Sequence, residues 1–226
     1  DATCGEYRID PDRIYLSGLS MGGIGTWRIG TRHPDRFAAL APVCGEADPK
    51  LAANLRRTPV WCFHGDADPV VPVGESRRMI AAMRELGLTP KYSEYAGVPH
   101  NSWDRAYGEQ GLYTWLLQHR RVRRTRRIQY HFPVRAFETP HTLWWLRLDA
   151  VRKRPGYGSV DAAIVGAGVL KMRTRGVKQL SVLLDEGPFG RATSWRVELN
   201  GRRCRFAADE RCLVLKPTVV SEEDQR

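Results

Sequence analysis

Along residues 13–119 short apolar runs alternate with stretches in which apolar positions recur every three or four residues. The runs fit buried strands and the stretches fit amphipathic helices, so the segment reads as βα units around a parallel sheet. Strands are predicted at Ile14–Ser17, Phe37–Val43, Val60–His64 and Lys91–Tyr95, and helices at Met21–Thr31, Val73–Leu86 and Ser102–Gln118. Pro34 ends the first helix, and Gly87 is placed to close the second. Beyond residue 131 the pattern changes. Brief β-rich pieces follow one another at Thr142–Leu148, Ala162–Val165, Val169–Thr174, Gln179–Leu184, Ser194–Leu199 and Leu213–Lys216, divided by Gly, Pro and Asn. Such spacing without helical segments predicts a small antiparallel sheet or β-sandwich.

Between the two patterns lies RRVRRTRR, residues 120–127, with dense charge and almost no apolar surface. The predicted organisation is therefore an α/β unit over 1–119, an arginine-rich linker over 120–130, a small all-β domain over 131–220 and a tail over 221–226. Charge sharpens this division. Residues 1–119 hold 13 Lys+Arg against 14 Asp+Glu, whereas residues 120–226 hold 23 against 11. The basic half could dock on an anionic polymer, but no nucleic-acid-binding motif accompanies it, so no specific nucleic-acid partner is expected. No apolar run is long enough to span a bilayer.

Five cysteines (Cys4, Cys44, Cys62, Cys204 and Cys212) form no C-x-x-C pair and no His/Cys cluster at metal spacing, so neither a metal nor a nucleotide cofactor is expected. Cys44 and Cys62 lie in apolar stretches and read as buried thiols. A Cys204–Cys212 disulfide is compatible with the sequence.

The chemistry concentrates in the first segment. Ile14-Tyr-Leu-Ser-Gly-Leu-Ser-Met-Gly-Gly runs from a strand through Gly18-x-Ser20-x-Gly22 into a helix. A nucleophile on such a sharp turn needs small neighbours, and the following helix would aim its positive end and the Met21 N–H at an oxyanion. Serine needs a base. Of six histidines, His100 follows the last predicted strand in the loop Ala96-Gly-Val-Pro-His-Asn-Ser-Trp, where it can reach across the strand ends. His64 ends an apolar strand and reads as a satisfied turn residue. Val60-Trp-Cys-Phe-His-Gly-Asp-Ala-Asp-Pro supplies two acids: Asp66 is placed to cap the turn, and Asp68, further out, to orient the imidazole.

DPDRIYLSGLSMGG, HPDRFAALAPVCG, HGDADPVVP and GVPHNSW together resemble the α/β-hydrolase serine esterases of the prolyl oligopeptidase and dienelactone hydrolase-like branch, over residues 8–118. The resemblance implies a Ser20–His100–Asp68 triad, with Met21 as one oxyanion donor. It implies a carboxylesterase acting through an acyl-enzyme on small or polymeric esters, with a serine peptidase as the alternative. In that family several strands and a second oxyanion donor precede the nucleophile strand, whereas here only Asp1–Asp12 do. The expectation is thus the C-terminal half of an α/β-hydrolase sheet, and with it a catalytically incomplete fragment as a further alternative. His141-Thr-Leu-Trp-Trp-Leu-Arg-Leu and Arg196-Val-Glu-Leu-Asn-Gly resemble, more loosely, the β-rich appendage of some bacterial esterases. Trp144 and Trp145 could offer a platform to a carbohydrate or polymer, although neighbours on one strand face opposite sides, which assigns at least one to the core.

Overall fold

In a computed structural model of the protein, residues 6–108, 111–153, 156–189, 194–207 and 212–217 are described. They form two compact units that divide between Arg123 and Arg124, inside the arginine run.

The first unit is built on four parallel strands in the order β1-β2-β3-β4: Tyr15–Leu19, Ala39–Val43, Trp61–Gly65 and Lys91–Tyr95. Every residue of β2 and β3 is buried, as expected for parallel strands covered on both faces. Their alternation divides the core. Leu40 and Cys62 join Trp27, Met79 and Ile80 on one side, and Ala41, Trp61 and Phe63 join Leu112 and Leu116 on the other. Helices α1 (Met21–Arg32) and α2 (Gly74–Glu85) supply the first side. Gly87 closes α2 as predicted: its N–H donates to the Arg84 carbonyl while that of Leu88 donates to Met83. The single helix predicted at Ser102–Gln118 is instead two, α3 (Trp103–Gly108) and α4 (Leu112–Leu117), and Gly111 at φ 61° precedes the second. A helix cannot run through a left-handed residue, so the apolar face of the stretch is divided between two short pieces.

Part of the arginine run is fastened to the start of this unit. Arg123 donates to Asp12 at 2.6 Å, Arg121 lies 3.4 Å from the same carboxylate, and the Arg121 N–H donates to the Asp12 carbonyl at 2.8 Å. No helix among the described residues is long and apolar enough to cross a membrane.

The second unit holds two sheets. One has the order β12-β11-β9-β8-β5, from Arg202–Ala207, Ser194–Leu199, Val169–Arg175, Tyr157–Gly166 and Arg127–Pro133. The other has the order β13-β10-β7-β6, from Cys212–Leu215, Val177–Leu183, Leu146–Val151 and His141–Leu143. Tyr130, Val160, Leu170 and Trp195 of the first sheet share one apolar core with Leu146, Leu148, Leu180 and Leu213 of the second. Several expectations are corrected. β9 and β11 pair in parallel, so the sheet is mixed. The predicted strand at Thr142–Leu148 is a tight hairpin, with Trp144 at φ 49° in the turn. Trp145 is fully buried and donates from its ring nitrogen to the Thr125 carbonyl at 2.7 Å, so the two tryptophans form no joint platform. Cys204 and Cys212 are free thiols on strands of different sheets. Cys4 and the predicted tail over 221–226 lie outside the described residues.

Candidate active site

Ser20, Asp68 and His100 sit on three loops beyond the C-terminal ends of parallel strands, the end of an α/β sheet at which such sites form. Ser20 occupies the single position between β1 and α1 at φ 53° and ψ −117°. A non-glycine residue at positive φ is strained, and the surrounding packing must hold it there. The turn is tight enough that a Cβ on Gly18 would stand 2.5 Å from the Gly22 carbonyl oxygen, so glycine is required where strand and helix cross. The Ser20 N–H donates to the Val43 carbonyl at 3.0 Å, tying the elbow to β2. The Met21 side chain is exposed, while its N–H belongs to the first turn of a 12-residue helix, whose leading amides have no partner within the helix.

The loop after β4 brings His100 over this elbow. Its Nε2 lies 2.8 Å from Ser20 Oγ, and its Nδ1 lies 2.7 Å from Asp68 Oδ2. A carboxylate accepts only, so Nδ1 carries the proton and Nε2 is left to accept from the serine hydroxyl. The loop reaches this position because Gly65 ends β3 without a side chain: a Cβ there would stand 2.1 Å from the Val98 carbonyl oxygen. The His100 ring meets Trp103 edge-on with centroids 5.5 Å apart.

Asp68 is fully buried at its side chain. Burial alone would raise its pKa. The hydrogen bond from His100 and the amides of Val71 and Val70, which donate to Oδ1 at 2.9 and 2.8 Å, outweigh burial and hold the carboxyl below its ordinary range. Asp66, the competing acid, is exposed and accepts from the Gly97 N–H at 2.6 Å. It stabilises the turn that precedes the His100 loop.

His64 is fully buried, with Nδ1 2.7 Å from Ser76 Oγ and Nε2 between the Val71 carbonyl at 2.9 Å and Asp68 Oδ2 at 3.2 Å. The Val71 carbonyl can only accept, which places the ring proton on Nε2, so Nδ1 accepts from the Ser76 hydroxyl, which in turn accepts from the Cys62 thiol at 3.4 Å. The available signal was the separation of four residues between His64 and Asp68 across a turn that must bend back on itself.

Cys44 follows β2 at φ 40°, and its sulfur, an Asp68 oxygen and a His100 nitrogen lie within 4.8 Å of one another. Burial raises the pKa of the thiol, keeping it protonated. Both His100 nitrogens and both Asp68 oxygens are already engaged in hydrogen bonds.

No family model matches the chain. It is 43% identical over 75 residues to NocK of Nocardia uniformis subsp. tsuyamanensis, assigned as an esterase, covering 32% of this chain and 22% of that protein. It is 30% identical over 110 residues to the bifunctional acetylxylan esterase/xylanase XynS20E of Neocallimastix patriciarum, covering 49% of this chain and 16% of that enzyme. Among solved structures, a thermostable esterase matches at 40% identity with a TM-score of 0.51, over 52% of this chain and 34% of its own. The chain thus spans well under half the length of each of these proteins. The first unit has the α/β-hydrolase fold of the esterases it resembles.

Proposed function

We propose that the protein is a serine carboxylesterase in which Ser20 is the nucleophile, His100 the general base and Asp68 the acid that orients it. The observation that carries this reading is the continuous line Ser20 Oγ, His100 Nε2, His100 Nδ1 and Asp68 Oδ2, with steps of 2.8 and 2.7 Å. His100 removes the hydroxyl proton as Oγ attacks the ester carbonyl, and Asp68 stabilises the imidazolium without taking its proton. The Met21 N–H and the positive end of α1 stabilise the oxyanion. His100 then protonates the departing alkoxide, leaving an acyl group on Ser20, and activates water to remove it. His64 holds Asp68 from behind. Esters are favoured over peptides because all three proteins compared above are esterases, one of them acting on acetylxylan by its name, which supports a polymer-borne ester as well as a small one. For the second unit we propose a small β-sandwich, which its single core drawn from both sheets supports.

The test is mass spectrometry after exposure to a fluorophosphonate. One adduct on Ser20, absent from Ser20→Ala, is expected; an unlabelled serine, or an adduct that survives the substitution, refutes the assignment.

A further inference from the structure

Part of the basic excess of the second unit gathers on one surface. In the sheet β12-β11-β9-β8-β5 the residues alternate between the core and the outer side, and residues paired across strands share a side. The register then gives the outer face row by row. Arg205 stands opposite Arg196; Arg203 opposite Glu198, which stands opposite Lys171; Arg173 opposite Asp161; and Arg175 opposite Ser159. Arg127 completes the face on β5. Seven cationic side chains thus share it with two carboxylates.

Both carboxylates are already engaged. Glu198 lies 3.9 Å from Lys171 and 3.8 Å from Arg203, and Asp161 lies 2.7 Å from Arg127. Among the described residues, Arg173, Arg175, Arg196 and Arg205 make no ion pair, and all four are exposed. Such charges repel one another and lower the stability of the unit, so a face of this kind is explained by what it meets.

We infer that this outer face is a docking surface for a carboxylate-bearing polysaccharide. Each guanidinium offers a planar pair of N–H donors that matches a carboxylate. Alternate residues on a strand are about 6.6 Å apart and neighbouring strands about 4.8 Å apart, so the cations form a flat lattice able to meet charges repeated along an extended chain. Single-stranded nucleic acid is held by aromatic platforms. The outward positions among these cations include Ser159, Ala163, Gln129, Ser194 and Val169, and the rings His131 and Tyr157 stand together at one end of β5 and β8, so no row of aromatic side chains crosses the face among the described residues. Reading base edges in the major groove takes an element about as wide as a helix or a two-stranded ribbon, which a five-stranded face is not.

The experiment measures binding of the full chain to immobilised polygalacturonate at low salt, with dextran as the neutral control. The wild type is expected to bind polygalacturonate and not dextran, more weakly as salt rises. Arg173→Gln/Arg175→Gln/Arg196→Gln should bind at least tenfold more weakly at a thermal midpoint no lower than that of the wild type. The corresponding triple Lys variant keeps the charge without the fork and should fall between the two. Arg56→Gln/Arg57→Gln, which alters only the first unit, should bind as the wild type. Absence of binding to polygalacturonate, equal binding by the triple Gln variant, or tighter binding of single-stranded DNA at the same salt overturns the inference. Nothing is turned over in this measurement, so its outcome is independent of the esterase reading.

Discussion

Replacing His64 with Leu keeps most of the buried volume and removes the imidazole N–H that lies 3.2 Å from Asp68 Oδ2, behind the three N–H groups that donate to the carboxylate: Val70 at 2.8 Å, Val71 at 2.9 Å and His100 at 2.7 Å. A hydrogen bond to a charged group contributes about 1.5–3 kcal/mol. The His64 N–H is bonded to the Val71 carbonyl at 2.9 Å and faces Asp68 at 3.2 Å, so its electrostatic contribution to the carboxylate is at most the low end of that range. A loss of about 1.5 kcal/mol in the orientation of the imidazole predicts phosphonylation of Ser20 slowed about tenfold. The fold should weaken too, because the Ser76 hydroxyl and the Val71 carbonyl lose a buried partner at about 1–3 kcal/mol together. Rate and stability are separated by a double-mutant cycle, measured at a temperature where thermal unfolding shows every variant folded. If His64 acts through Asp68, the substitution should slow labelling about tenfold in the wild type and be close to silent in Asp68→Asn. The same tenfold loss in both backgrounds, or none in the wild type, would refute the reasoning.

Asp68→Asn itself should cost on the order of a thousandfold or more in labelling rate, whereas Asp66→Asn should stay within about threefold because the amide oxygen still accepts from Gly97; labelling kinetics of the two decide between the acids. The folded-state pKa of Asp68 is depressed, so its stabilisation is complete above the unfolded value near 4 and lost as pH falls through the folded one. The gap in thermal midpoint between wild type and Asp68→Asn should therefore be wide at pH 7 and narrow below about pH 4. Gly65→Ala must push the Val98 carbonyl away from β3, and a shift of about 1 Å in the His100 loop should slow labelling about a hundredfold, read against an unchanged far-ultraviolet circular dichroism spectrum. Burial pushes the Cys62 thiol up to about 12, and Cys44 is buried as well, so iodoacetamide at pH 8 should alkylate Cys204 in the native protein and leave these two unmodified until denaturant is added.

What could be read from the sequence follows from where burial constrains it. β2 and β3 are covered on both faces, which forces apolar residues at every position and makes the runs visible; the predicted Lys91–Tyr95 coincides with β4 because Gly and Pro bound it closely. β5 and β12 were missed for the opposite reason. Ile128, Tyr130 and Phe132 alternate inward, but Arg127, Gln129 and His131 face out and blend into the arginine run. β12 follows Asn200-Gly201, both at positive φ, a dipeptide that favours a two-residue hairpin, yet its arginines hid the strand. The same distinction separates the residues of the site. Ser20, Asp68 and His100 lie on loops, where the proposed chemistry would restrict the residue type, so their motifs are visible locally. His64 lies on a strand whose burial explains an apolar residue equally well, and its connection to Asp68 exists only once the turn closes. A buried polar residue at the end of an apolar strand, a few positions before a candidate catalytic acid, is therefore better read as support for that acid than as a feature of the turn.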